Sequence, residues 1–212
     1  MPPGVVAPPW RIAGLPGQKM PLTQFGIVAG DSRPVLRVAA NASYGNLVYE
    51  TRVRPGSGDL LRWSWSLERG LAASDLSSKT GDDAALKVCA LVDMPLDGLG
   101  LGERTRMRLA RSMSGEPLPA ATLCYVWDRL LPVGSLVPNV FSARVRYLVV
   151  SSGAARPGTW LSLERNLAGD FLRAFGHESP TVPRLLALAV GADADNTGGQ
   201  SLGYVGDVTL AP

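Results

Sequence analysis

One histidine, two cysteines and three lysines in 212 residues exclude several common chemistries at once. A zinc site with the usual set of His and Cys ligands has too few residues to draw on. The single His177 lies before Ser201 in the Gly199-Gln200-Ser201-Leu202-Gly203 pattern, whereas a hydrolase elbow needs its acid and then its histidine after the serine. That segment reads as a Gly-rich turn. Long apolar runs are also lacking: none approaches the roughly 20 residues of a membrane-crossing helix. The opening Met1 to Trp10 has no charged region followed by an apolar stretch of signal-peptide length. Charge of one sign is scarce too. Basic and acidic residues number 21 and 18, for a net charge of +3, and they are scattered singly, which gives no electrostatic footprint for nucleic acid.

What is plentiful is apolar side chain and turn-forming residue. Hydrophobic residues make up 46% of the chain, enough for one sizeable core, while 24 Gly and 17 Pro favour many short elements joined by turns. The expectation is a single domain over 1–212, a Pro/Gly-rich lead-in over 1–20 followed by a β-sandwich over 21–210. Period-two alternation is clearest in Leu61 to Leu67, where Trp63 and Trp65 share one face and Arg62, Ser64 and Ser66 the other. Further β-type runs are Thr23 to Val28, Val35 to Ala40, Ala84 to Val92, Thr122 to Trp127, Val145 to Val150, Arg184 to Val190 and Tyr204 to Leu210. Two segments carry helical spacing instead. Glu103 to Met113 ends before the stop signals Gly115 and Pro117, and Asn166 to Phe175 has an N-cap at Asn166 and Gly176 just past its end. The fold class expected is all-β, a sandwich or jelly roll of about nine or ten strands with two short helices. Cys89 and Cys124 fall on strand segments, where a disulfide or two buried thiols would both fit.

Three polar constellations stand out. Asp193-Ala194-Asp195-Asn196-Thr197-Gly198 spaces its oxygens like the first half of a calcium loop, although Tyr204 at the twelfth position rules out an EF-hand. A looser calcium site would use Asp193, Asp195 and Asn196 with Asp207, or with Asp82 and Asp83; an Asx-turn is the structural alternative. No other cofactor is expected. Lys79-Thr80-Gly81-Asp82-Asp83 places a cation and two carboxylates at a strand mouth, the residue types that general acid–base work requires if burial separates their pKa values. Ion pairing or turn capping would use the same residues. Trp63, Trp65, Tyr125, Trp127 and Trp160, with Arg129, Arg144 and Arg165, supply aromatic faces beside cations, the mix that stacks sugar rings or organic ligands in clefts, and Trp127 is favoured because Asp128 and Arg129 follow it.

These stretches also carry a resemblance. Leu61-Arg62-Trp63-Ser64-Trp65, Lys79 to Asp83, Tyr125-Val126-Trp127, the Trp160 to Gly176 block, and Asp193 to Asn196 with Gly206-Asp207 appear in an order that resembles an uncharacterised bacterial family, domain of unknown function 3047, from about Trp10 to Leu210. Ala84, Ala85 and Ala194 depart from that family's pattern. The resemblance implies exported proteins, hence a periplasmic or secreted home if a signal peptide has been removed and a cytoplasmic one otherwise. By further analogy it implies a galactose-binding-like jelly roll, a group that includes carbohydrate-binding modules with structural calcium.

The leading expectation is a non-catalytic module binding a saccharide or similar small polar ligand through Trp127, Tyr125, Lys79, Asp82, Arg144 and Arg165, in a shallow groove floored by Trp127. An alternative is a hydrolase or lyase acting on glycans or esters, with Asp82 or Asp83 as acid–base and Lys79 or Arg144 as stabiliser. A structural domain of the cell envelope is the third reading.

Overall fold

The computed structural model describes residues 4, 6–15, 17–114 and 118–212. Thirteen strands occur among them: β1 Arg11–Ala13, β2 Gln24–Ala29, β3 Pro34–Asn41, β4 Tyr44–Glu50, β5 Leu60–Arg69, β6 Lys87–Val92, β7 Ala121–Asp128, β8 Leu136–Pro138, β9 Val145–Ser152, β10 Leu161–Asn166, β11 Leu185–Asp193, β12 Gln200–Val205 and β13 Thr209–Ala211. Two helices join them, α1 Leu101–Ser114 and α2 Leu167–Phe175. The stop signals Gly115 and Pro117 lie outside the described residues. Asn166 caps α2 as its sequence suggests, its side chain accepting from the Gly169 N–H at 2.7 Å.

The strands form two sheets, and the fold is an all-β jelly-roll sandwich. One sheet runs β1-β4-β11-β6-β7-β9-β8, antiparallel except for the parallel β7–β9 pair; the other runs β10-β5-β12-β3-β2, with β13 also pairing β5. Side-chain alternation explains the layering. Trp63, Trp65 and Leu67 of β5 face Val88 and Ala90 of β6 and Leu123, Tyr125 and Trp127 of β7 in a single apolar core, which Phe171 and Phe175 of α2 extend. Burying such side chains is the main favourable contribution, about 1.5–3 kcal/mol for each large one.

The opposite face of the seven-stranded sheet is buried as well. Cys89, Cys124, Val126, Tyr147, Val149, Ala187 and Ala189 pack under Leu76 and Ala84 of the segment between β5 and β6. Cys89 and Cys124 are directly opposed across β6–β7 and form a disulfide, which resolves the two cysteine readings. Three strands differ from the sequence reading. The run from Ala84 enters the ladder only at Lys87, the Gly199 to Gly203 stretch is mostly strand β12 rather than a turn, and the final strand divides into β12 and β13. β1, which falls within the segment read as a lead-in, and β4, β8 and β10 are additional.

Candidate functional site

Side chains on the outer face of the seven-stranded sheet meet three connecting segments at one place. Tyr44 (β4), Asp193 (β11) and Lys87 (β6) project from the sheet, because Asp193 pairs with Tyr44 and Lys87 with Gly191 in register. Gly191 has no side chain for a reason: a Cβ there would come within 2.3 Å of the Asn46 Oδ1 lying over it. The segment before β6 brings Asp82 and Asp83, the turn after β11 brings Asp195 and Asn196, and the turn after β8 brings Asn139 beside Tyr147 of β9.

Within this cluster the carboxylates have distinct environments. Asp193 accepts from Lys87 Nζ at 3.0 Å through Oδ2 and from the Ala84 N–H at 2.8 Å through Oδ1, and the ammonium also lies 4.8 Å from the Tyr44 ring centroid. Burial pushes the Asp193 carboxyl up, against the pull of Lys87. For Lys87 burial is the largest influence and acts downward, but Asp193, Tyr44 and Asp82 together carry it above its ordinary value. The single 3.0 Å contact between Lys87 Nζ and Asp193 Oδ2 is the arrangement of a buried ion pair. Asp83 is saturated by donors: the Asn196 N–H at 3.1 Å, Asn196 Nδ2 at 3.2 Å and the Thr197 N–H at 2.7 Å. Its carboxylate therefore caps the Asn196-Thr197 turn, the Asx-type structural role.

Asp82 differs from both. Only 3% exposed, it accepts from Asn139 through Oδ2, while its Oδ1 is buried with no hydrogen-bond partner. Burial first, and then the neighbouring Asp193 charge, push its carboxyl up to about 6. Burial, with the same two carboxylates, raises Tyr147 well above its ordinary value, so its hydroxyl keeps its proton. Asp195 is pushed up by burial and by Asp193 and Asp83, and its Oδ1 is likewise unpartnered. At the surface, the segments that meet through Asp82 and Asn139 meet again where Lys79 Nζ lies 5.8 Å from the ring centroid of the exposed Phe141.

The expected site residues fall into separate places. Asp82, Asp83, Asp193, Asp195 and Asn196 come together, with Lys79 at the rim. Asp207 does not join them; it pairs with Arg33 beside the six-stranded sheet, so the fourth member of the anticipated calcium set is elsewhere. Asp83, Asp193 and Asp195 each bring an oxygen within 4.8 Å of the others, a span that a single calcium at 2.3–2.6 Å from each would match. The cation that Asp193 holds in this structure is the Lys87 ammonium.

The aromatic and arginine set is dispersed. Tyr125 is fully buried and donates to Asp170 Oδ2 at 3.1 Å, and Arg165 grips the same carboxylate at 2.8 and 2.6 Å, which ties β7 and β10 to α2. Arg144 pairs with Glu103 at 2.7 Å and with Glu178, joining α1 to the turn after α2. Trp127 is 4% exposed and its indole N–H donates to Gly153 O at 3.0 Å. These contacts hold the sandwich together, and Trp127 lines a pocket that includes none of Tyr125, Arg144 and Arg165. Sequence reasoning missed Lys87, Tyr44, Asn139 and Tyr147. Only Lys87 left a signal, as the one cation on the alternate phase of an apolar β run.

A jelly-roll sandwich with a buried carboxylate–lysine cluster on one sheet face is thus the class that fold and site define. The chain belongs to the family described as protein of unknown function (DUF3047), which it matches over residues 8–209. Nothing among curated proteins matches it. Among solved structures it is similar to endoglucanase 3 of Trichoderma harzianum from family GH12, at 9% identity and TM-score 0.48, covering 98% of this chain and 100% of that one. It is also similar to the xyloglucanase domain of NopAA, a type three effector from Sinorhizobium fredii, in complex with cellobiose (8% identity, TM-score 0.49, 95% and 92% covered). The family 12 xyloglucanase from Bacillus licheniformis is a third (8%, TM-score 0.47, 95% and 92%). No residue role is carried from them. The expectation of a non-catalytic binding module is corrected: the residues meant to form one ligand site are spent on separate contacts, Tyr125 and Arg165 on Asp170 and Arg144 on Glu103 and Glu178.

Proposed function

We propose that this chain is a glycan-acting hydrolase in which Asp82 transfers the proton. One observation carries the reading: two carboxyl groups in a single buried network are set to different tasks. Asp82 is pushed up to about 6 and keeps one oxygen free of hydrogen bonds, whereas Asp193 has both oxygens engaged by Lys87 and Ala84. Environments that separate neighbouring carboxyl groups in this way mark an acid–base assignment.

In the proposed step the Lys79–Asp83 and Asn139–Phe141 segments part to admit the glycan and water, and the Asp82 carboxyl then gives its proton to the departing sugar oxygen as the glycosidic C–O bond breaks. Water adds its hydroxyl to the sugar carbon and returns its proton to Asp82. Asn139 and Tyr147 orient the carboxyl, and the Lys87–Asp193 pair fixes the charge beside it. Phe141 and Lys79 form the rim, an exposed ring and cation suited to stacking and hydrogen-bonding a sugar. The Cys89–Cys124 disulfide supports a periplasmic or secreted setting for this activity, since disulfides persist in oxidising compartments.

The test is release of reducing ends from soluble β-glucan, xylan and xyloglucan by the purified protein. Because the protonated form is the donor, the rate should fall as pH rises through about 6. Asp82→Asn should lose at least about a hundredfold in rate, the ordinary contribution of a positioned acid, while its melting temperature shows that it folds. No release from any of the polysaccharides, or a folded Asp82→Asn variant as active as the parent, overturns the reading.

A further inference from the structure

A second feature lies at one end of the sandwich, between the sheets rather than outside them. The ends of β5 and β7, the turn after β9 and the segment after β5 line a half-open pocket of about 380 Å³. Its walls are Leu67, Leu71, Ala85, Ala155 and one edge of Trp127, whose orientation the hydrogen bond to Gly153 O fixes. Its volume lies in the range of small-molecule sites, and such sites combine apolar walls with a few placed polar groups. Here that group is Arg129, exposed at the lining, with no ion-pair partner among the described residues. Arg129 acts electrostatically on Asp75, but that carboxylate is already engaged by the Ser77 N–H at 3.0 Å and its hydroxyl at 2.6 Å.

An unpaired guanidinium beside an apolar chamber fits one class of ligand. We infer that this pocket binds a monocarboxylate with an apolar tail, the tail lying against Leu67, Leu71 and Trp127 and the carboxylate reaching Arg129. The chemistry is complementary at both ends: apolar area leaves water in the chamber, and the guanidinium fork presents paired donors to a carboxylate. The chamber is roughly a dozen water volumes at ~30 Å³ each, which suits a chain of about ten carbons.

The experiment is isothermal titration calorimetry of the purified chain with decanoate and, separately, with decanol, each kept below its aggregation limit. Saturable decanoate binding at one site, at least fivefold tighter than decanol, is expected. Arg129→Gln should weaken decanoate at least fivefold and leave decanol unchanged. Ala155→Phe, which fills the chamber from its half-buried rim, should abolish both, with its melting temperature confirming that it folds. Absence of saturable binding up to about 1 mM, a limit corresponding to the weakest specific affinities, overturns the inference. So do equal affinities for the acid and the alcohol, or an Arg129→Gln variant that binds decanoate as tightly as the parent. None of these readouts depends on Asp82 or on hydrolysis.

Discussion

The buried cluster and the exposed pairs of the molecule treat charge in opposite ways. In the cluster on the seven-stranded sheet, Asp82, Asp83 and Asp193 with Lys87 are all at most 3% exposed, so these groups are shielded from water. On the six-stranded sheet, Arg62 pairs with Glu164 at 2.7 Å and Arg33 pairs with Asp207, yet these side chains are between 40% and 65% exposed. Similar partners at similar distances therefore have different consequences. An exposed pair exchanges hydration for a contact of nearly equal worth, while a buried charge has no water to return to when its partner is removed.

The largest effect should come from Lys87→Met, which keeps the apolar stem and removes the ammonium. Asp193 is then left in a buried site with three other carboxyl groups close by and no cation, a loss of about 3–5 kcal/mol. At roughly 2–4 °C per kcal/mol for a chain of this size, melting should fall by about 10 °C. A variant that melts with the parent would show that the pair contributes nothing. Next is the disulfide on the same face. Replacing Cys89 and Cys124 by Ala opens a loop of 35 residues and should cost about 2–4 kcal/mol by denaturant unfolding.

Asp82 gives the cluster its own pH signature. Its carboxyl rises in the folded state from an ordinary 3.8 to about 6, so folding favours its protonated form. Stability from this group is complete below pH 3.8 and is lost as pH climbs through about 6. Relative to Asp82→Asn, the parent should therefore lose up to about 3 kcal/mol between about pH 4 and pH 7, since each tenfold change in proton affinity on folding is worth about 1.4 kcal/mol. A difference between parent and variant that does not change with pH would mean that the Asp82 carboxyl is not raised.

Much of the scaffold was readable from local pattern. β5 announces itself by alternation, because Leu61, Trp63, Trp65 and Leu67 all face one core. α2 is marked by its cap and by Phe171 and Phe175 one turn apart. β4 was not legible: it holds Gly45 and Asn46, poor strand formers, and its conformation comes from pairing with β1 on one side and β11 on the other. Residues 84–86 failed in the opposite direction. They are apolar and buried, but the Ala84 N–H is committed to the Asp193 carboxylate, so burial there comes without a ladder. At the site, the acidic residues could be found because Asp-Asp and Asp-Ala-Asp-Asn are conspicuous. Lys87, Asn139 and Tyr147 could not, since what gives them meaning is a meeting of strands β6 and β9 with the turn after β8, and no local spacing encodes that.

The smallest expected effect closes the contrast. Arg62→Ala breaks the exposed pair with Glu164 and should change stability by no more than about 1 kcal/mol, a melting shift of a few degrees at most. Salt separates this case from Lys87→Met more sharply than size does. At about 1 M salt, where screening acts within about 3 Å, the Arg62→Ala deficit should vanish because water and ions already reach both partners. The Lys87→Met deficit should persist in the same buffer, since the Asp193 carboxylate left without its cation is sealed beneath the segment carrying Leu76 and Ala84. If salt erased both deficits alike, the cluster would be open to solvent, and the burial that raises Asp82 would be lost with it.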